Sequence, residues 1–214
     1  TIFALALSLA FNEIQNKYLK KITQSFSFLP YFISTVVVGI FVSGLLGYDN
    51  GVINRIITAF GGEKVAFYMN AGYWPVILLI VNIWKGAGYS AVVYLATIDS
   101  SYYEAAKIDG ATRWQQTWYI SLPLLKPTVI TLTLLSVGKI MNSDFGLFYN
   151  VTGDMPTLYA TTDVIDTYIY RALRQMGDVG ISSATGFFQS IVGFVLVLIS
   201  NKLANMYESD AALF

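Results

Sequence analysis

An all-α, polytopic membrane fold is predicted by three features of the sequence: 55% hydrophobic against 12% charged residues in a chain of 214, a mean hydropathy of +0.57, and apolar runs near the length of a bilayer span. Inventory removes much chemistry at once. The chain has no cysteine and no histidine, so thiolate nucleophiles, imidazole acid-base catalysis, disulfides and cysteine- or histidine-ligated metal sites are excluded. The formal charge is zero, which supplies no basic stripe for nucleic acid. A phosphate loop of the G-x-x-x-x-G-K-[ST] type is missing too, so no nucleotide site of that kind is expected on this chain.

A spanning helix needs about 20 mostly apolar residues, and at least five are expected here. Residues 1–15 read as the end of a helix cut at the N-terminus, because the chain opens "TIFALALSLAF" without Met; the helix count is then a minimum. Residues 31–47, "YFISTVVVGIFVSGLLG", start just after Pro30. Residues 73–98 are long enough to span although they hold Lys85, Gly86 and Gly88. The run 128–148 follows Pro127, and 183–204 is centred on "GFFQSIVGFVLVLIS". Together they make one transmembrane domain over 1–214.

Orientation follows from the basic residues of the connectors. If 104–127 is cytoplasmic, Lys17, Lys20, Lys21, Lys107, Arg113, Lys126 and Lys202 share its side, against Arg55, Lys64, Arg171 and Arg174 on the other. The bias agrees with that orientation. The outer connector "TTDVIDTYIYRALRQ" has helical apolar spacing, with Thr161, Thr162 or Asp163 as candidate caps. It predicts a short amphipathic helix that carries Asp163, Asp166 and Arg171.

The segment "EAAKIDGATRWQQTWYISLPLLKP", 104–127, reads as a polar helix, a turn and a second helix. Ser100 or Ser101 is expected to cap the first, Gly110 to permit the change of direction, Trp114 and Trp118 to line one face, and Pro123 and Pro127 to mark re-entry into the membrane. "EAAKIDGA" followed by "ISLPLLKP" resembles the E-A-A-x-x-D-G-A…L-P signature of permease subunits of ATP-binding-cassette importers. Other stretches, among them "IWKGAGYSAVVYLATI" and "GFFQSIVGFVLVLISNKLA", are similar to the polysaccharide and oligosaccharide branch of carbohydrate importers.

The resemblance implies a MetI-like type I importer core of the maltose-importer kind, with 100–127 as the coupling-helix segment. Glu104, Ala105, Ala106, Asp109, Gly110 and Ala111 would then seat in a groove of a cytoplasmic ATPase. It also implies a second homologous permease subunit, two ATPase subunits that bind ATP and magnesium, an extracytoplasmic solute-binding protein for which Asp163, Asp166 and Arg171 are candidate contacts, and a place in the bacterial plasma membrane. This chain is expected to carry no cofactor or metal of its own and to hydrolyse nothing.

For the solute, the helix expected from Pro127 places Lys139 about 18 Å along, near mid-membrane. Lys139, Asn142, Asp144, Phe145, Tyr149 and Gln189 are therefore candidate pathway residues, with amide and charged groups for hydroxyls or acids and aromatic faces for sugar rings. Three other readings remain open at this level: an importer of peptides or amino acids, which shares the coupling segment, an ion-coupled secondary transporter, and a purely structural membrane subunit. The second leaves the 104–127 motif unexplained.

Overall fold

The computed structural model describes residues 1–14 and 16–207; Gln15, at the end of the expected first helix, and the tail 208–214 lie outside them. Every regular element among the described residues is helical. In chain order these are α1 (Ile2–Glu13), α2 (Lys17–Phe28), α3 (Thr35–Leu46), α4 (Val52–Ala59), α5 (Trp74–Ala96), α6 (Ser100–Ile108), α7 (Arg113–Gln116), α8 (Leu122–Gly138), α9 (Phe145–Thr152), α10 (Tyr159–Thr162), α11 (Ile165–Arg174) and α12 (Val179–Tyr207). A π-turn at Thr117–Ser121 joins α7 to α8 without a break, so Arg113–Gly138 is one helix of 26 residues.

Three helices among the described residues are long and apolar enough to cross a membrane: Ala71–Ala96, Arg113–Gly138 and Val179–Leu203. A fourth span exists if Lys17–Phe32 and α3 count as one helix broken at Ile33 and Ser34. The five expected spans are therefore three or four. The N-terminal run yields a helix of 12 residues, below the length of a span. The run 31–47 yields another of 12, because Pro30 sits in a 3-10 turn and Ser34 Oγ accepts from Val36 N to start α3 afresh. The helix expected over 128–148 begins at Arg113 and stops at Gly138. Pro127 lies inside it, so that proline does not mark its start. The π-turn ends two residues before Pro123, whose ring would clash with the Tyr119 carbonyl in a regular turn; the wider turn relieves that clash.

The residues pack as two compact units. The first holds Thr1–Phe32, Ile83–Lys139 and the chain from Gly193; the second holds Ile33–Asn82 and Ile140–Val192. The connectors expected on the cytoplasmic side fall in the first unit, and both outer connectors fall in the second.

In the first unit, Ala4, Tyr94 and Leu125 form a buried cluster joined by Leu5, Leu9 and Val129. Small residues permit close helix contact: a Cβ on Gly88 would stand 1.8 Å from the Ser27 carbonyl oxygen, and one on Gly138 would stand 2.4 Å from Val197 Cγ2. The second unit packs around Val38, Val42, Trp74, Leu78, Leu147 and Val151, with α3 seated on α9 so closely that a Cβ on Gly39 would meet Asn150 O at 2.4 Å. Its first outer connector is organised by Asn54, 1% exposed, whose Nδ2 donates to the carbonyls of Gly47, Tyr48 and Val65 while Oδ1 accepts from Val65 N.

Gly88→Ala is expected to lower the Tm of the purified chain in detergent by several degrees, from about 1–3 kcal/mol of overpacking against backbone. Gly86, with nothing within 4 Å of its missing Cβ, is the matched control, and Gly86→Ala should leave Tm unchanged. Equal Tm values for the two variants would refute the tight approach at Gly88.

Candidate functional site

The coupling segment begins with a cap other than the one expected. Asp99, not Ser100 or Ser101, is the N-cap of α6, and its Oδ1 accepts from Ser101 N at 2.9 Å. A carboxylate in this place satisfies an end N–H and meets the positive end of the helix dipole. That hydrogen bond holds the Asp99 carboxyl below the usual aspartate range. At the other end, Gly110 takes φ +78°, Gly110 N donates to Lys107 O, and Ala111 N donates to Ala106 O at 2.9 Å. These two bonds form a Schellman closure, which needs a residue free of Cβ strain in the left-handed region. The chain then restarts through a capping box: Thr112 Oγ1 accepts from Gln115 N, and Gln115 Oε1 accepts from Thr112 N at 2.8 Å. Glu104, Ala105, Asp109 and Gly110 are exposed, Ala106 and Ala111 half-buried, and Ile108 is 87% exposed. Trp114 and Trp118 meet edge to face, with ring centroids 5.5 Å apart.

The pathway candidates are placed differently from one another. Lys139 is the C-cap of the long helix, with its N–H on Ser136 O at 3.2 Å, and its side chain is exposed. The mid-membrane depth expected from a start at Pro127 is overturned, since the helix starts at Arg113 and Lys139 caps its end. Asn142 is exposed, and Asp144 is the N-cap of α9, accepting from Leu147 N at 3.0 Å. Phe145 and Tyr149 stack with centroids 5.0 Å apart, and Tyr170 from α11 closes a three-ring cluster at 5.0 Å from each. Gln189 is 4% exposed and donates to Met141 O at 2.7 Å, which anchors α12 to the turn before α9.

A second arrangement, in the first unit, was only half visible in the sequence. Lys85 lies midway along α5, its Nζ donating to Tyr31 O at 3.1 Å and standing 5.7 Å from the Tyr31 ring centroid. Tyr31 stacks on Tyr89 at 4.3 Å, and both rings keep about two fifths of their surface exposed. The signal was a lysine in an apolar run; its tyrosine partner, 54 positions away, had none.

On the outer connector, Arg171 is 8% exposed and lies within the fold. Its guanidinium binds Asp154 at 2.8 Å and Asp163, and it covers the Tyr159 ring at 4.2 Å. Burial lowers its proton affinity, but the two carboxylates outweigh burial and hold it above the ordinary arginine value. Arg171 therefore organises this surface from beneath and is not a surface contact of this chain. Asp163 also accepts from Thr167 Oγ1, and Asp166 accepts from Ser143 N at 2.5 Å, which ties α11 to the turn before α9. The cap of α11 is Val164 with Thr167, one to three residues after the expected Thr161 to Asp163.

Such a chain, with apolar spanning helices and a capped polar helix held outside them, has the build of a transporter's membrane subunit. It belongs to the family of binding-protein-dependent transport system inner membrane components, whose model matches residues 2–208. The chain is a multi-pass protein of the bacterial plasma membrane with the MetI-like all-helical fold. It is 36% identical over 207 residues to the polygalacturonan/rhamnogalacturonan transport system permease protein YteP of Bacillus subtilis (strain 168), covering 95% of this chain and 64% of that one. To the protein LplB of the same organism it is 32% identical over 209 residues, covering 96% and 65%. It thus spans slightly less than two thirds of these relatives. Among solved structures it matches a chain of a bacterial ABC transporter involved in the import of the acidic polysaccharide alginate, with a TM-score of 0.88 and 36% identity over 96% of this chain and 72% of that one. The same transporter type in complex with alginate pentasaccharide-bound periplasmic protein matches at a TM-score of 0.87.

Arg171→Met strands two carboxylates and is expected to destabilise the chain by about 3 kcal/mol, the low end for breaking a buried pair. Arg171→Lys should lose less; thermal unfolding in detergent measures both, and an unchanged Tm for Arg171→Met would count against the buried network. The Asp99 cap contributes fully above the ordinary aspartate pKa and is lost as pH falls through the lowered value. Asp99→Asn should remove that acid-side loss of α6, read by hydrogen exchange at Ser101 to Glu104; an unchanged pH profile would assign the loss to other groups.

Proposed function

We propose that this chain is the permease subunit of an ATP-driven importer that translocates oligosaccharides derived from an acidic polysaccharide, delivered by an extracytoplasmic binding protein. A second homologous permease subunit lies beside it, and ATP with its magnesium is bound and hydrolysed on two partner ATPase subunits. The observation that carries this reading is the free end of α6. There an isoleucine exposed at 87% stands between Glu104 and Asp109, next to a glycine turn, in a segment outside the spanning helices. Apolar surface of that kind is unfavourable in water, and it suits a groove with bases on its rim. Closure of the ATPase pair then moves the grooves, and α6 carries the permease between two packings.

The acidic class is supported by the polygalacturonan and alginate transport of the relatives, and by where this chain keeps its cations. Lys85 beside the Tyr31 and Tyr89 rings, and the exposed Lys139, offer ammonium groups for uronate carboxylates. The tyrosine rings and the Phe145, Tyr149 and Tyr170 cluster offer faces for sugar rings.

In proteoliposomes holding the whole complex, Glu104→Lys and Gly110→Asp are expected to abolish transport while the chain still inserts; normal transport by both would refute the docking role. Lys85→Met and Lys139→Met should each raise the apparent KM for an acidic oligosaccharide about ten-fold, the effect of about 1.4 kcal/mol in a charge-assisted contact. A neutral oligosaccharide of equal length should be unaffected, and equal losses for both solutes would assign the lysines to structure.

A further inference from the structure

The π-turn at Thr117–Ser121 is where three parts of the first unit are tied together. Tyr103, on α6, shares a hydrogen bond of 2.8 Å with Ser121 Oγ, and the Ser121 hydroxyl lies 3.4 Å from the Gln116 carbonyl it donates to. The relay therefore runs from the Tyr103 O–H to Ser121 Oγ and on to Gln116 O. Ser121 and Gln116 are 1% and 2% exposed, so these bonds are shielded from water. The Gln116 side chain reaches back past the turn, Nε2 donating to Ala111 O at 3.1 Å. On α1, Glu13 Oε1 accepts from Thr117 Oγ1 at 3.0 Å.

The mechanical consequence comes from the number of attachments. Through its peptide chain, α6 is joined to the long helix only by the turn at Asp109 to Thr112, where Gly110 occupies φ +78°. That glycine is the hinge between the two: α6, whose other end runs through Thr97 to Asp99 into α5, changes its angle to the long helix by turning there when it is pushed. The Gln116 to Ala111 bond fixes the near end of the turn, and the Tyr103 to Ser121 bond fixes α6 at a second point along its length. Two points of attachment convert a pivot into a rigid bracket. A π-turn is rare and usually sits at a functional position, and here it brings both the Gln116 carbonyl and the Ser121 hydroxyl into the junction.

We infer that Tyr103 and Ser121 are positioning residues that pass movement of α6 into the helix Arg113–Gly138, an inference that rests on α6 being the ATPase contact. Neither residue touches nucleotide or solute in this role. Their bond makes the chain transmit a displacement; without it, the ATPase moves α6 and the spanning helix lags.

The test uses the complete complex in proteoliposomes with its binding protein, and reads solute transported per ATP hydrolysed. Tyr103→Phe and Ser121→Ala should each assemble with the ATPase at wild-type yield and lower that ratio about five-fold, the effect of one hydrogen bond of about 1 kcal/mol on a two-state equilibrium. The double variant should lose no more than either single one, because one bond is shared. A wild-type ratio for Tyr103→Phe, additive losses, or failure of Tyr103→Phe to assemble overturns the inference; the last outcome assigns the bond to folding. Glu104→Lys separates the two levels: normal coupling in that variant overturns the docking reading and this inference with it. Lost coupling there beside a normal Tyr103→Phe overturns this inference alone.

Discussion

A chain that lives in hydrocarbon has to pair every backbone N–H and C=O within itself, and the rest of this structure follows from how it does so at the ends of its helices. Between Asp99 and Pro123 the chain leaves one spanning helix, turns outside it and enters another. Each break is closed locally: a carboxylate cap at Asp99, a Schellman turn at Gly110, a capping box at Thr112 and a π-turn before Pro123. Because these closures consume the polar backbone groups, the side chains of Glu104, Ala105 and Ile108 on α6 remain exposed. The same economy appears at Asp144, where a side chain expected to face solute starts a helix.

Local features were legible in the sequence to the extent that they are local. Composition and run length were enough for the helical membrane fold. The spelling of residues 104 to 111 was enough for a helix and a glycine turn, since helix formers and an Asp-Gly pair act over a few residues. What escaped depends on distance. The depth of Lys139 rested on a helix start at Pro127, yet proline is tolerated inside a membrane helix, and this one starts at Arg113 and runs through Pro127. Asn54 was passed over because its partners include Val65, across a connector without periodicity. Arg171 read as a surface charge because amphipathic spacing shows which face is polar and does not show that Asp154, Asp163 and Tyr159 fold over that face.

Charge is distributed by how much partnership each group has. Arg171 has two carboxylates and a ring, enough to compensate for its burial, and so serves the scaffold. Lys85 has one carbonyl and a ring face, which leaves much of an ammonium's hydrogen-bonding capacity unspent in the middle of a spanning helix. Under the proposed importer reading, that spare capacity is what an anionic solute would meet.

The Asn54 clasp has a further consequence for the side of the membrane it faces. Extracytoplasmic loops are often held by disulfides, which tie their integrity to the redox state of the compartment. This chain has no cysteine, and a single buried amide closes the segment from Gly47 to Val65 instead. The outer connector therefore needs no oxidant to mature and no protection from reductants once formed: it is set during folding itself and is indifferent to the thiol chemistry around it.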